Sequence, residues 1–408
     1  MQYSVDFAEV NLAGQLLDRQ VRHLEQFRKY GDEQFRIDAS EFGLILGVLY
    51  PINEAVVALA GVATEGFKRA TSATARLTNE TLDAYLQTDE QAHAQFNQIM
   101  MALGGSAAKY DDPRDSFTEL GAAESQAGSD YGAEAKSALP FENTVPALED
   151  IKEATASLVT TTYDEVVERA TTYTSRAGVS ERTDPASYLV VPDPGDDPGG
   201  ELRAKAGVIL GGLDWVAHKV VGKSILEEYV YKPFGGNWHA IDRTSSAWGH
   251  GARFHLELAA NFAGLPTQLQ SWTGIASGAF QVSMAAFAAA SFRLNLAYEA
   301  VSGYVSIIGT ISKLVCSEIA KKLREISHDL TALAIMAAVP VVGWAGALIK
   351  GVKTVDRIIK TLDLIVNLIN LLLEAIAEFI EGKERVVQAS LLIEDLVNNF
   401  ANRAVAAQ

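Results

Sequence analysis

The apolar residues of this chain recur mostly at intervals of three and four, which is the spacing of one face of an α-helix. Strand signals are scarce, because runs of β-branched residues at a period of two are missing, while Ala and Leu are frequent. The sequence therefore predicts an all-α fold. We expect long antiparallel helical hairpins in a bundle, joined by flexible acidic linkers.

The first predicted unit is a helical hairpin over residues 1–103. Its first helix is expected over about 5–30, and the segment "YGDEQFRIDAS" then breaks the pattern. A second helix is expected from about Glu41 to Met101, with a kink at Pro51. Its apolar residues at helical spacing predict a face that packs on a partner helix: Val56, Leu59, Ala63, Phe67, Ala70, Ala73 and Leu77.

Three further segments follow the hairpin. Residues 104–148 are rich in Gly, Ser, Ala and acidic residues, a composition that predicts a flexible linker. Residues 149–310 are predicted to be a helical region. Residues 311–408 are predicted to form a C-terminal region of amphipathic helical hairpins.

The longest stretch without a charged residue runs from Leu258 to Phe292. It contains the helix breakers Gly264 and Pro266, and helical spacing resumes on both sides of "AGLPTQLQSWTG". We therefore expect two helices over 236–305 that meet at a turn, rather than one membrane span. Three aromatic residues are expected to pack around this hairpin: Trp238, Trp248 and Phe280.

A second uncharged stretch, 330–349, reaches the length of a membrane span. Pro340, Gly343 and Gly346 favour two short buried helices and a turn. Insertion into lipid after a conformational change and a permanent span stay open as alternatives.

A regular apolar seam occupies residues 355–379, where apolar residues alternate at intervals of three and four. Such a heptad pattern is typical of an internal core helix and also of an oligomer contact, and both interpretations stay open. The central seam positions are Ile358, Leu362, Ile365, Ile369, Leu372 and Ile376.

The charge and cysteine content exclude several classes of partner. The net charge of −17 argues against nucleic acid and anionic lipid surfaces, because both select for basic patches. Cys316 is the single cysteine, so an intramolecular disulfide is excluded. The first thirty residues are charged throughout and contain no apolar core of a signal peptide. We expect a protein that stays in the cytoplasm or leaves by a route that reads no cleavable signal peptide.

Catalytic and metal-binding patterns are weak in this sequence. His250 and His255 are five residues apart, which places them on different faces of a helix and disfavours a zinc site. "Val221-Gly-Lys-Ser224" lacks the preceding glycine of a phosphate-binding loop. We predict no enzyme activity, no catalytic residue, no metal and no cofactor.

The segment "GGNWHAIDRTSSAWGHGARFHLELAANFAGLPTQLQSWTGIASGAFQVSMAAFAAAS" resembles the Trp-x-Gly helical hairpins of type VII secretion substrates, with Trp272 and Gly274 as the Trp-x-Gly pair. In that family the pair marks the turn between two antiparallel helices. Glycine permits the tight backbone, and Trp packs at the end of the hairpin. A second Trp-x-Gly, Trp344 to Gly346, lacks this context and is interpreted as accidental.

The resembling family also carries a Tyr-x-x-x-Asp/Glu mark near the end of a paired hairpin. Tyr85 and Asp89 match it, one helical turn apart and so on one face. Tyr50 and Glu54 match the same pattern, but they lie at the other end of the predicted helix, with Pro51 between them. In EspB-like substrates the two hairpins fold into one bundle. Here a long stretch of chain separates the two marks, so the packing of the hairpins on each other is left open.

The resemblance implies a non-enzymatic substrate of a type VII secretion system, or the N-terminal targeting region of a longer actinobacterial toxin. Tyr85, Asp89, Trp272 and Gly274 would be its recognition residues, and the secretion machinery or a small helical chaperone its partner, with homo-oligomers of this chain also implied. Two rivals remain. One is a membrane-active, channel-forming protein with insertable hairpins at 258–312 and 330–380; the other is an assembly protein that self-associates through 355–379.

Overall fold

The computed structural model describes residues 4–41, 47–103, 106–132, 178–193 and 238–337, with side chains up to Thr310, and three single helical positions, Asn367, Asn370 and Ala377. Within these ranges the chain forms four long α-helices and no strands. The helices are α1 (Phe7–Gln34), α2 (Tyr50–Ala102), α3 (Trp238–Gln268) and α4 (Ile275–Ala337). The predicted all-α fold is confirmed.

Helix α1 begins at a side-chain cap. The Asp6 carboxylate accepts hydrogen bonds from the backbone N–H groups of Ala8 and Glu9, which otherwise have no partner in the first turn. The helix continues past the predicted end to Gln34, and its last carbonyl groups include that of Gly31, which accepts from the Phe35 N–H. Phe35 then turns back into the core, so the chain reverses there.

Helix α2 begins later than the sequence suggested. Two short 3-10 turns, Ala39–Glu41 and Gly47–Leu49, occupy part of the segment where the helix was expected to start. The helix begins at Tyr50, and Pro51 therefore lies in its first turn instead of kinking it. A proline is favourable there because the N–H that it lacks would have no partner in the helix.

Each pair of consecutive helices runs in opposite directions. In the first pair, Glu25 lies near Lys68, and Arg36 forms an ion pair with Glu54 further along. In the second pair, Ser245 and Ser302 exchange hydrogen bonds, and the Asn295 amide donates to the Ala252 carbonyl. In both pairs, residues later in one helix contact residues earlier in the other, so the two helices are antiparallel.

The two helical pairs pack on each other through aromatic rings. Phe27 of α1 stacks on Phe254 of α3 at 4.6 Å between ring centroids, and Phe35 stacks on Trp248 at 4.0 Å. Phe67 of α2 meets Phe287 of α4 edge to face at 5.5 Å. All these rings are buried, and such pairs add about 0.5–1.5 kcal/mol each beyond the area they bury. The two hairpins therefore share one core.

Gly264 and Pro266 do not end α3, although the sequence analysis assigned them as breakers. The helix continues through both residues to Gln268. Gly264 instead allows a close approach, because a Cβ atom there would lie 2.4 Å from Nε of Arg182. Helix α4 likewise passes the predicted boundary at residue 310 without interruption and ends at Ala337.

Two segments without α-helix lie along the bundle, and each contains one 3-10 turn, Pro113–Ser116 and Pro185–Tyr188. In the predicted linker, residues 106–132 contact α1, where Gln15 exchanges hydrogen bonds with the backbone of Thr118 and Leu120. The segment 178–193 pairs with it around an isolated bridge between Ser125 and Thr183, where the Ser125 N–H donates to the Arg182 carbonyl and the Asp184 N–H donates to the Ser125 carbonyl. This described part of the linker thus has specific contacts that its composition did not predict, since backbone hydrogen bonds do not depend on apolar side chains.

Several predicted features lie outside the described residues. These are the remainder of 104–148, most of the region from 149 to 237, and the stretch 338–349. The seam at 355–379 also lies outside them, apart from the three exposed helical positions already named.

Candidate recognition site

The turn between α3 and α4 has the backbone that a Trp-x-Gly pattern requires. Gly274 has φ of 109°, a backbone conformation that residues other than glycine rarely adopt. Helix α4 begins at the next residue, and the Gly274 carbonyl accepts from the Gly278 N–H. The Ser277 hydroxyl donates to the Trp272 carbonyl at 2.6 Å. Gly274 is therefore the residue that lets the chain reverse between the two helices.

Trp272 closes the end of the core. Its side chain is buried, and its ring lies 5.2 Å from that of Phe280 on the next helix. The backbone N–H of Trp272 donates to the Leu269 carbonyl, which tightens the turn. Trp272 and Phe280 thus pack against each other at this end of the hairpin.

The start of α1 is attached to this turn. The Thr273 N–H donates to the Ser4 carbonyl at 2.8 Å, and the Ser4 N–H donates to the Thr273 hydroxyl at 2.9 Å. The Ser271 hydroxyl donates to the Glu9 carboxylate. These contacts connect residues far apart in the sequence and fix the first hairpin to the Trp-x-Gly turn.

Tyr85 and Asp89 lie at the same end of the bundle. A Cβ atom on Gly14 of α1 would meet Asn79 of α2, so these two residues are at one level. Because the helices are antiparallel, the first turn of α1 lies at the level of Leu82 to Leu86. Tyr85 is half-buried there and packs against the shared core. The start of α1 is thus close to Tyr85 and Asp89, which we call the Tyr85 pair, and is also attached to the Trp272 turn.

Asp89 has a partner from the segment after α2. The Tyr110 hydroxyl donates to the Asp89 carboxylate at 3.2 Å, and the Tyr110 ring lies 5.0 Å from His93. The pKa of the Tyr110 phenol is raised, first by loss of solvent and then by the hydrogen bond to this carboxylate. Asn97 further anchors the segment, with its amide donating to the Ala108 carbonyl and its oxygen accepting from the Ala108 N–H.

The other two predicted aromatic residues have different positions. Trp248 lies in the middle of the shared core, against Phe35 and Tyr298, and away from the turn. Trp238 is the first residue of α3, and its side chain is outside the described set. The packing role predicted for Trp248 is therefore at the interface between the two hairpins.

A buried polar cluster was missed by the sequence analysis. The Glu181 carboxylate, 1% exposed, accepts hydrogen bonds from Gln20 at 2.8 Å and Arg19 at 3.0 Å, and lies 2.8 Å from Nε2 of His23. Burial by itself raises the pKa of Glu181, but the hydrogen bonds from these three side chains hold it below its usual value. Polar residues at helical spacing in α1 were the available signal, yet nothing in the sequence links them to residue 181.

A second missed feature is His255 in the aromatic core. It is fully buried, lies 4.7 Å from Phe27 and 5.1 Å from Tyr298, and burial lowers its pKa to about 3. It is neutral at pH 7. Among the described residues, no three His, Cys, Asp or Glu side chains are grouped to hold a metal ion.

Comparison of the chain with protein-family models, with curated proteins and with solved structures finds no match.

Proposed function

We propose that this protein is a non-enzymatic substrate of a type VII secretion system, exported without a cleavable signal peptide. In this proposal Tyr85 and Asp89 form the surface that the secretion machinery or a helical chaperone recognises. Trp272 and Gly274 build the turn that holds this surface in place.

One observation carries the proposal. Two short patterns far apart in the sequence lie at one end of a single bundle, where Ser4 forms hydrogen bonds with Thr273 and the first turn of α1 lies at the level of Leu82 to Leu86. A bipartite signal read by one receptor requires such proximity, whereas accidental matches have no reason to share an end. The second Tyr pattern, at Tyr50 and Glu54, begins α2 and so lies at the opposite end.

The test is export from a host with an active type VII system. We expect the wild-type chain in the culture filtrate and retention in the cell of Tyr85→Ala and Trp272→Ala, with unchanged helical content by circular dichroism. The chain supplies matched controls, Tyr50→Ala and Trp344→Ala, which change the two accidental copies of the patterns. These controls are expected to be exported like the wild type.

Two results would contradict the proposal. One is that the wild-type chain never leaves the cell. The other is that Tyr85→Ala and Tyr50→Ala are exported equally well, because the Tyr85 pair would then have no special role. Gly274→Ala supplies a further check, since it strains the turn without removing an aromatic side chain.

A membrane-active protein is the second candidate. Within the described helices, Ile275–Thr310 is long and apolar enough to cross a bilayer, with mean hydropathy 1.4. A core helix passes the same test, and Met284, Phe287 and Leu294 of this stretch are buried in the bundle. Leakage of liposomes by the purified chain, absent after heat treatment, would favour this candidate.

A further inference from the structure

The end of α2 extends beyond the rest of the first hairpin. Leu86 is the last buried residue of the helix, at the level of the start of α1, and the helix continues to Ala102. Three large apolar residues on or just after this extension are exposed: Phe96 by 56%, Ile99 by 58% and Leu103 by 78%. Monomeric proteins seldom leave such a cluster uncovered, so this surface is a candidate contact for a partner.

These apolar residues lie on the same helix face as the Tyr85 pair. The intervals are four, three, four, three and four, which keeps one face over several turns. We name the α2 stripe by its members: Tyr85, Asp89, Ala92, Phe96, Ile99 and Leu103. All of them except Tyr85 are exposed.

The segment after α2 leaves the stripe open. It contacts His93 and Asn97, which lie on the neighbouring face, and it reaches the stripe at Asp89 through Tyr110. Met101 is also exposed, but it lies off the stripe. The stripe is thus a continuous apolar row with a carboxylate near its inner end.

The helix that carries the stripe has charges of one sign, and the nearby Lys109 and Arg114 of the following segment are paired with Asp111 and Asp112. No Lys or Arg occurs between Arg76 and Lys109, whereas this part of the helix contains Glu80, Asp83, Asp89 and Glu90. In a dimer formed through the stripe, the acidic residues of the two copies would repel each other, and an anionic lipid surface would also repel them. A basic partner is complementary to them.

We propose that the α2 stripe binds an amphipathic partner helix whose apolar residues recur at intervals of three and four and whose flanks carry Lys or Arg. Two apolar rows at this spacing interlock as in a coiled coil, and a basic side chain of the partner meets Asp89. The proposal rests on the proposed function for its context, since it names the chemistry of the partner that reads the Tyr85 surface.

The test uses the full chain and a labelled synthetic helix of about 18 residues, with Leu at intervals of three and four and Lys on both flanks. Fluorescence anisotropy measures its dissociation constant. A matched peptide carries Glu in place of every Lys. We expect the Lys peptide to bind at least about 10-fold more tightly, with an affinity that falls as salt is raised.

Variants assign the site. Phe96→Ser with Ile99→Ser is expected to weaken binding of the Lys peptide by about 10-fold or more, because two central apolar contacts are lost. Met101→Ser is the matched control, an equally exposed residue off the stripe, and is expected to change binding by less than about 2-fold. These positions are exposed, so circular dichroism is expected to be unchanged for both.

Four outcomes would overturn the proposal. The first is that the Lys and Glu peptides bind equally well, and the second is that neither binds. The third is that the Phe96→Ser, Ile99→Ser variant binds the Lys peptide as tightly as the wild type. The fourth is that the stripe mediates dimers of the chain or binding to neutral lipid vesicles in place of peptide binding. Export separates this proposal from the proposed function. If export is normal and depends on Tyr85 but the peptide does not bind, the proposed function stands and the partner-helix proposal is wrong. If the peptide binds but the chain is not exported, the partner-helix proposal stands and the proposed function is wrong.

Discussion

Replacing Glu181 by Gln removes the one negative charge at the centre of the buried polar cluster. The new side chain keeps an oxygen that can accept from Gln20 and His23. Its amide group, however, faces the Arg19 guanidinium, which loses the carboxylate at 3.0 Å and keeps the Gly121 and Leu120 carbonyls as acceptors. The substitution is nearly equal in volume, so the change measures charge and hydrogen bonding rather than packing.

The expected cost follows from these contacts. Losing a charge-assisted hydrogen bond costs about 1.5–3 kcal/mol, and the two remaining bonds weaken from charged to neutral by roughly 1 kcal/mol together. Arg19 keeps 21% of its side-chain surface in water, which limits the penalty for leaving its charge without a carboxylate. We therefore expect the attachment of 178–193 to weaken by about 3 kcal/mol.

Trypsin cleavage after Arg182 reports this attachment. Arg182 is 5% exposed and lies against Gly264, so cleavage requires the segment to leave α3. When opening is fast relative to cleavage, a loss of about 3 kcal/mol raises the cleavage rate by about 100-fold. Native-state digestion followed by mass spectrometry measures the rate at this bond.

The control is Glu80→Gln, which changes a carboxylate paired with Arg76 on the surface of α2, where both side chains are more than half exposed. Such pairs contribute at most about 1 kcal/mol, so the cleavage rate after Arg182 is expected to stay within about 5-fold of the wild type. The reasoning is refuted if Glu181→Gln changes the rate no more than this control does.

Two further predictions concern the core and the turn. The folded pKa of His255, lowered to about 3, lies below the unfolded value, so the unfolded chain takes up the proton first and stability is lost as pH falls from about 6.5 toward 3. Between pH 6.5 and 4.5 the wild type is expected to lose about 2–3 kcal/mol of unfolding free energy through this group, and His255→Leu is expected to lack this loss. Urea unfolding at both pH values measures it, and equal losses in the wild type and the variant would contradict the prediction. Gly274→Ala is expected to destabilise by about 1–2 kcal/mol because of its positive φ, whereas Gly278→Ala, with open space around the new Cβ, is expected to gain up to about 1 kcal/mol. Thermal unfolding compares the two, and equal midpoints would show that the turn tolerates a side chain.

Helix content and the faces of the helices were determined by the sequence alone. The interval of three and four that identifies Val56, Ala63 and Phe67 as one face also buries them in the structure. Further along the same predicted face, Ala73 and Leu77 are only partly buried, and threonines are buried instead: Thr71, Thr74 and Thr78. Such periodicity is a local property, since each residue of a helix turns by a constant angle. The Trp272 turn was predictable for a related reason: a glycine at this position permits a backbone that other residues avoid.

The exact ends of the helices were less accessible. Pro51 was expected to kink a helix that in fact begins beside it, and Pro266 was expected to end a helix that continues past it. Proline has the same local chemistry in both places, but its effect depends on whether the preceding backbone groups find other partners.

Tertiary structure alone decided which distant residues meet. The Glu181 carboxylate joins three side chains of α1, and Ser4 joins Thr273, across separations that no local pattern encodes. The same packing exposes the outer end of α2 while it buries the helix as far as Leu86. Local sequence determines which face of a helix is apolar, but the neighbours that the fold supplies decide how much of that face is covered, because burial is a property of the whole assembly and not of the helix.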